Sequence, residues 1–160
     1  FCITNLINSY IEKQTKRKLY KDANERIKLS QEIFNAANRY YVDPYLLLTY
    51  SYKESSFSKN KTGKRGEKGI MQFGKVTRKI CKKKVGLDLS KRQDQLYCGA
   101  YWINRLEKRC KSLQKGLTAY NSLGGSCKGT PKGRRIARYR IAISRKLRKK
   151  CAIIRAIQND

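Results

Sequence analysis

A formal charge of +28 on 160 residues is the condition that any fold of this chain must meet. Like charges repel across a compact surface, so the folded state needs bracing. Six cysteines could supply it: Cys2, Cys81, Cys98, Cys110, Cys127 and Cys151. An even count in a small basic chain reads as a disulfide framework made in an oxidising compartment. The pairing stays open, with one restriction. Cys98 and Cys110 fall on or beside one helix, about 18 Å apart along its axis, which is beyond disulfide reach. Without a Cys-x-x-Cys pair a zinc knuckle is not expected. Histidine is absent, which excludes Ser-His-Asp, Cys-His and His-ligated metal chemistry. No cofactor and no metal are expected. The apolar share of 39% is enough for a core. No apolar run approaches the roughly 20 residues of a membrane span, so the chain reads as soluble. It opens on Phe1 rather than Met, which suits a secreted form after signal removal or a trimmed chain.

Apolar periodicity is helical almost throughout. Leu29, Ile33, Ala37 and Tyr40 recur at steps of three and four, predicting an amphipathic helix near 22–40. Asp43-Pro44 is a helix start, with Asp as N-cap and Pro in the first turn. Residues 58–69 form a basic loop punctuated by glycine, and the 58–74 segment has room for a short hairpin. Ser90 and Gln93 read as a capping box opening a helix through Leu96, Ala100, Ile103 and Leu106. A short helix near 112–121 stops before Gly124-Gly125. Thr130-Pro131 starts a last long helix, with Ile136, Tyr139, Ile143 and Leu147 as its expected core face. Residues 128–150 hold eleven basic residues and no acid. That run is a solvated face or a polyanion-binding one.

Glu54 is the anomaly. It shares a helical face with Leu47 and Tyr50, away from Lys53. A carboxyl on an apolar face near a helix C-terminus is expected to resist ionising, through desolvation and the helix dipole. A general acid at neutral pH needs that property. The plain alternative is a solvent-facing glutamate where the helix frays. Gly63, Gly66 and Gly69 are evenly spaced, yet no Gly-Lys-Ser/Thr follows and no strand precedes, so a P-loop is a poor reading.

Three segments gain meaning together. Glu54-Ser-Ser-Phe57, Gly69-Ile-Met-Gln72 and Ala119-Tyr-Asn121, in that order, resemble the soluble lytic transglycosylases, whose lysozyme-like fold is shared with goose-type lysozyme. Asp43-Pro44-Tyr-Leu also fits that family's entry into its catalytic helix, and the resemblance spans about 42–145. It implies a mainly α, single lysozyme-like domain; residues 1–41 have no counterpart in its motifs and are expected to form an N-terminal helical extension of that domain over 1–160, bracing one end. The implied substrate is the β-1,4 bond between N-acetylmuramic acid and N-acetylglucosamine in peptidoglycan. By motif, Glu54 is the implied acid and then base, and Tyr120 its neighbour, orienting the carboxyl or steadying positive charge. Gln72 and Asn121 are implied to hydrogen-bond sugar, Ser55 to help position it, and Met71 to pack beneath the saccharide floor or fill the core.

A hydrolase of this type needs a second carboxylate about 6.5–9.5 Å from the first to seat a water. Glu67 is the candidate, with Asp88 and Asp94 as outliers. Goose-type lysozymes carry an acid shortly after the Met-Gln segment, whereas here Gln72-Phe-Gly-Lys75 has none. That favours chemistry with one carboxylate and a 1,6-anhydro product. Glu67 otherwise balances Lys64, Arg65 and Lys68. The charge suits a secreted or extracytoplasmic monomer held to peptidoglycan strands and anionic wall polymers, with no specific nucleic acid and no membrane span. Two further readings remain: a catalytically inert binder of wall polymer or nucleic acid, and a membrane-active protein whose last helix, Arg134 to Lys150, lies on an anionic bilayer. For that helix, burial of the apolar stripe in the core is the first expectation.

Overall fold

A computed structural model describes residues 2–14, 22–122 and 125–159. Gly124, residues 15–21 of the N-terminal extension, and the pairing of Cys2 lie outside the described residues and side chains. Helices are α1 (Cys2–Gln14), α2 (Ala23–Arg39), α3 (Pro44–Ser55), α4 (Lys75–Val85), α5 (Arg92–Cys110), α6 (Leu113–Tyr120) and α7 (Pro131–Asn159). Among the described residues there is no strand. The hairpin allowed for 58–74 is reduced to single antiparallel bridges, Thr62 with Lys68 and Lys68 with Phe73.

Short polar side chains set the helix starts. Asp22 accepts the Asn24 amide at 2.8 Å, and Asp43 accepts that of Tyr45 at 3.1 Å ahead of Pro44. Thr130 Oγ1 accepts the Gly133 amide at 3.0 Å at the head of α7. The capping box expected at Ser90 does not form. Lys91 is the N-cap of α5 and makes no side-chain cap. Asp88 takes the Ser90 hydroxyl at 2.8 Å, and Asp94 accepts the Asp88 amide at 2.8 Å. A local Asx-type network outcompetes the cap for the serine.

The longest element of the middle, α5, packs against α2, α3, α4 and α6, while α3 and α6 rest on α7. Leu29, Ile33, Leu46, Leu47, Leu48, Tyr50, Leu96 and Leu117 meet in this core and are fully buried. Scarce carboxylates are used as ties: Arg92 at the start of α5 donates to Glu32 at 2.5 Å and to Glu25 at 3.3 Å, both on α2. Gly116 lets α6 lie backbone to backbone on α5. A methyl placed there would sit 2.7 Å from the Glu107 nitrogen and 2.8 Å from the Leu106 carbonyl carbon.

Two disulfides clamp α5 to its surroundings. Cys81–Cys98 joins α4 to its middle, and Cys110–Cys127 joins its end to the segment after α6. Cys98 and Cys110 thus take different partners. Cys151 is oxidised too, and no cysteine is free among the described residues. Cys81 is the buried residue of α4, a lysine-rich helix that is not among the helices read from the chain.

The face of α7 differs from expectation. Its buried residues are Ala137, Arg140, Ile141, Ser144 and Cys151, whereas Tyr139 is 54% exposed. Ala137 and Ser144 let α7 lie close on α6 and α3, with Arg140 and Ile141 buried beside them, so the larger apolar stripe is rotated to one side.

Candidate active site

Glu54 stands one residue before the end of α3. The chain then turns sharply: Ser56 and Phe57 both have positive φ, 53° and 66°. A buried phenylalanine there is strained, and it is held by its packing into the core and by its amide donating to the Ser51 carbonyl at 3.3 Å. The turn leaves Glu54 facing a cleft of about 860 Å³, whose walls include Gln72, Tyr120, Asn121 and Arg140.

The opposing wall is clamped to α3 from below. Ser55 Oγ donates to the Ile70 carbonyl at 2.8 Å, and the Ile70 amide donates to Gln95 of α5 at 2.8 Å. Gly69 supplies φ +85° at the head of this segment, and a side chain there would strike Gln95. Met71 is fully buried, and its sulfur lies 3.3 Å from Ser51 Oγ. Its carbonyl accepts the Tyr120 hydroxyl at 2.9 Å. The segment Gly69–Gln72 is thereby tied to three helices.

Arg140 of α7 completes the site and is the residue that motif reading missed. Its Nη1 donates to Glu54 Oε1 at 2.7 Å, and its guanidinium lies 4.0 Å from the Tyr50 ring centroid. Tyr50 is fixed in turn by Asn121 Nδ2, 2.8 Å from its hydroxyl, and by an edge-on contact with Tyr120, centroids 4.8 Å apart. The apolar setting expected for Glu54 is incomplete, since one carboxylate oxygen is held by a cation. A signal existed. Arg140 sits four residues after Ile136 and three before Ile143, a charge inside an apolar stripe, as Glu54 is.

Burial pushes the Tyr120 phenol well above its ordinary value, and the Glu54 charge adds to this against the opposing pull of Arg140. Tyr50 is pushed up to about 12, chiefly by burial, with Arg140 and the Asn121 hydrogen bond pulling down. Both phenols therefore stay protonated at neutral pH and act as neutral dipoles around the carboxylate.

Glu67 lines the same cleft, yet both its oxygens are engaged. Oε2 accepts the Arg65 amide at 3.0 Å and Oε1 accepts Arg65 Nε at 3.1 Å. Backbone hydrogen bonds, aided by the Arg65 charge, hold its carboxyl below the usual range. Gln72 spends its amide donors on the Lys61 and Gly69 carbonyls, at 2.9 and 2.8 Å, and has φ 49°. Its amide oxygen is left for a ligand. Ser55 and Met71, read as substrate residues, are buried and do not line this cleft; Met71 borders a separate 570 Å³ cavity behind the loop. Asp88 and Asp94 are absent from its walls as well. Among the described residues no cluster of three or more potential metal ligands occurs.

Mainly α packing around a buried central helix, with a clamped loop facing its end, is the arrangement of a lysozyme-like domain. Residues 31–140 match the transglycosylase SLT domain, and the chain belongs to that family. The family assigns it, in general terms, lytic transglycosylase activity on the glycosidic bonds of peptidoglycan. No curated protein matches the chain, and no helix among the described residues is long and apolar enough to cross a membrane.

Proposed function

We propose that the chain is an extracytoplasmic lytic transglycosylase that cleaves the MurNAc-β-1,4-GlcNAc bond with Glu54 as acid and then base. The observation that carries this reading is the contrast between the two carboxylates of the cleft. Glu54 has one oxygen on Arg140 and leaves the other for the substrate, whereas Glu67 has both oxygens committed to Arg65.

In the proposed reaction the free oxygen of Glu54 carries a proton to the glycosidic oxygen, and the bond from that oxygen to the muramoyl C1 breaks. Positive charge develops at C1, where the π-face and hydroxyl oxygen of Tyr120 steady it. Glu54, now a carboxylate held by Arg140, takes the proton of the C6 hydroxyl, whose oxygen bonds to C1. The product is a 1,6-anhydro ring, and no water is consumed. Arg140 is a positioning residue that fixes the carboxylate rotamer. Asn121 keeps Tyr50 beneath Arg140, and Ser55 holds the Ile70–Gln72 wall. Gln72 and Asn121 offer their amide oxygens to the sugar, since their amide donors are spent within the protein.

Mass spectrometry of muropeptides released from purified peptidoglycan by wild type and Glu54→Gln tests this reading. Anhydro-muropeptides, one water lighter than reducing-end products and lost in the variant, are the expected result. General acid-base groups contribute about 10²–10⁴-fold, and the variant should lose that much. Reducing ends that vanish in Glu67→Gln would establish hydrolysis. Silence from wild type on acetylated and deacetylated walls alike would leave a cationic wall binder.

A further inference from the structure

The rotated stripe of α7 does not vanish into the core. Tyr139, Ile143, Leu147 and Ile153 form one wall of a groove of about 650 Å³, and Leu6 and Tyr10 of α1 form the other. Tyr139 is 54% exposed and Ile153 61%. Five lysines line it as well, Lys53, Lys146 and Lys150 among them, and no carboxylate does. Lys53 Nζ lies 5.3 Å from the Tyr139 ring centroid and 5.5 Å from that of Tyr52. Among the described residues none of the groove lysines has a salt-bridge partner, in contrast to Arg140 and Arg148 on the same helix, which pair with Glu54 and Asp43. Burial pushes the Tyr10 phenol up, which marks the inner end of the groove as poorly hydrated.

An unpaired cationic border around an apolar floor is chemistry for an amphiphile. A dissolved polyanion would satisfy the lysines and leave the aliphatic wall in water. Lysine stems lie along apolar surface while their ammonium groups reach outward, and tyrosines sit well at the boundary between lipid and water. Helices with this division bind in the plane of an anionic interface.

We propose that the α1–α7 groove docks the protein on an anionic lipid surface, with lipid phosphates on the lysines and acyl segments against Tyr139, Ile143, Leu147 and Ile153. The groove shares no lining residue with the cleft, and the inference stands independently of the transglycosylase reading.

Co-sedimentation with vesicles of phosphatidylcholine, with and without phosphatidylglycerol, tests it at low and high salt. A net charge of +28 guarantees some adsorption at low salt, so the decisive comparisons are between variants. Tyr139→Ser with Ile143→Ser should lower high-salt binding to the phosphatidylglycerol vesicles by about tenfold, at unchanged net charge. Lys146→Ser with Lys150→Ser should weaken binding more than Lys83→Ser with Lys84→Ser, an equal charge change on α4. In Tyr139→Trp, brominated lipid should quench fluorescence beyond the wild-type level set by Trp102. Circular dichroism and muropeptide release verify that each variant is folded. Equal losses from the two lysine pairs, an unaffected Tyr139/Ile143 variant, or no extra quenching would overturn the proposal and leave adsorption by bulk charge. So would duplex DNA binding that depends on Tyr139 and Ile143 while vesicle binding does not.

Discussion

The tip of α3 and the 58–74 loop each deliver a glutamate to one cleft, and the two are held in opposite ways. Glu67 is tied by Arg65, two residues away, through bonds that any tight turn of that loop can make. Glu54 is tied by Arg140, 86 residues away, through a contact that exists only when α3 and α7 are packed. A local pair answers to the loop, whereas a distant pair answers to the fold. Both of Glu67's oxygens are saturated in its pair. The pair at Glu54 fixes one oxygen and spares the other. A carboxylate that is fixed by the packed fold with one oxygen available is better suited to chemistry than one whose two oxygens both serve its own loop.

The contrast can be broken most decisively by exchanging the roles of the two residues. Glu54→Gln should remove activity to the extent given above, while Glu67→Gln leaves the anhydro product and its rate within about twofold, since an exposed loop pair contributes little. Comparable losses from both would end the distinction. The next largest effect is expected at Arg140. Arg140→Met should lower kcat by about 10- to 100-fold with KM nearly unchanged, because a carboxylate misplaced by an ångström costs about that much. Arg140→Lys should recover part of the loss, because an ammonium can still pair with one Glu54 oxygen. A purely structural role would instead lower the thermal midpoint in Arg140→Met, leave kcat of the folded protein unmoved and show no recovery with lysine.

A smaller effect concerns the aromatic platform beneath Arg140. Tyr50 in the folded chain has its pKa near 12, above the ordinary 10.0. Folding therefore favours the protonated phenol. This stabilisation is complete below about pH 10 and is lost as pH rises through about 12. The thermal midpoint should fall over that window, and Tyr50→Phe should make the fall shallower. A midpoint whose alkaline slope is the same in both proteins would remove Tyr50 from the account.

Much of the fold was legible where a start signal led into a segment rich in apolar residues. The helices opening at Asp22, Asp43-Pro44, Ser112 and Thr130-Pro131 have their caps and stripes in adjacent residues. The helix α4 has an apolar face, but no side-chain cap announces its start at Gly74, and its lysines dilute a face on which Val76 is 73% exposed and Cys81 alone is fully buried. The stripe of α7 was visible, but which face turned inward was decided by the space that α3 and α6 leave. In the candidate site the three motifs bring Glu54, Gln72, Tyr120 and Asn121 to one cleft. Arg140 escaped because an ion pair across 86 residues leaves no local trace beyond one charge in an apolar stripe. Ser55 and Met71 lie within the motifs but serve the wall from behind, and spacing alone cannot tell a lining residue from a supporting one.

Gly116 contributes no functional group, yet it sets the separation of α6 from α5. Tyr120 lies one helical turn further along α6, with Asn121 as its C-cap. Any side chain at 116 lifts the whole short helix, and so shifts two cleft residues that are themselves unaltered. Tolerance to substitution is thus limited at a position that bears no reactive atom. An alanine there, the mildest change available, should be tolerated less well than many substitutions on the rim of the cleft.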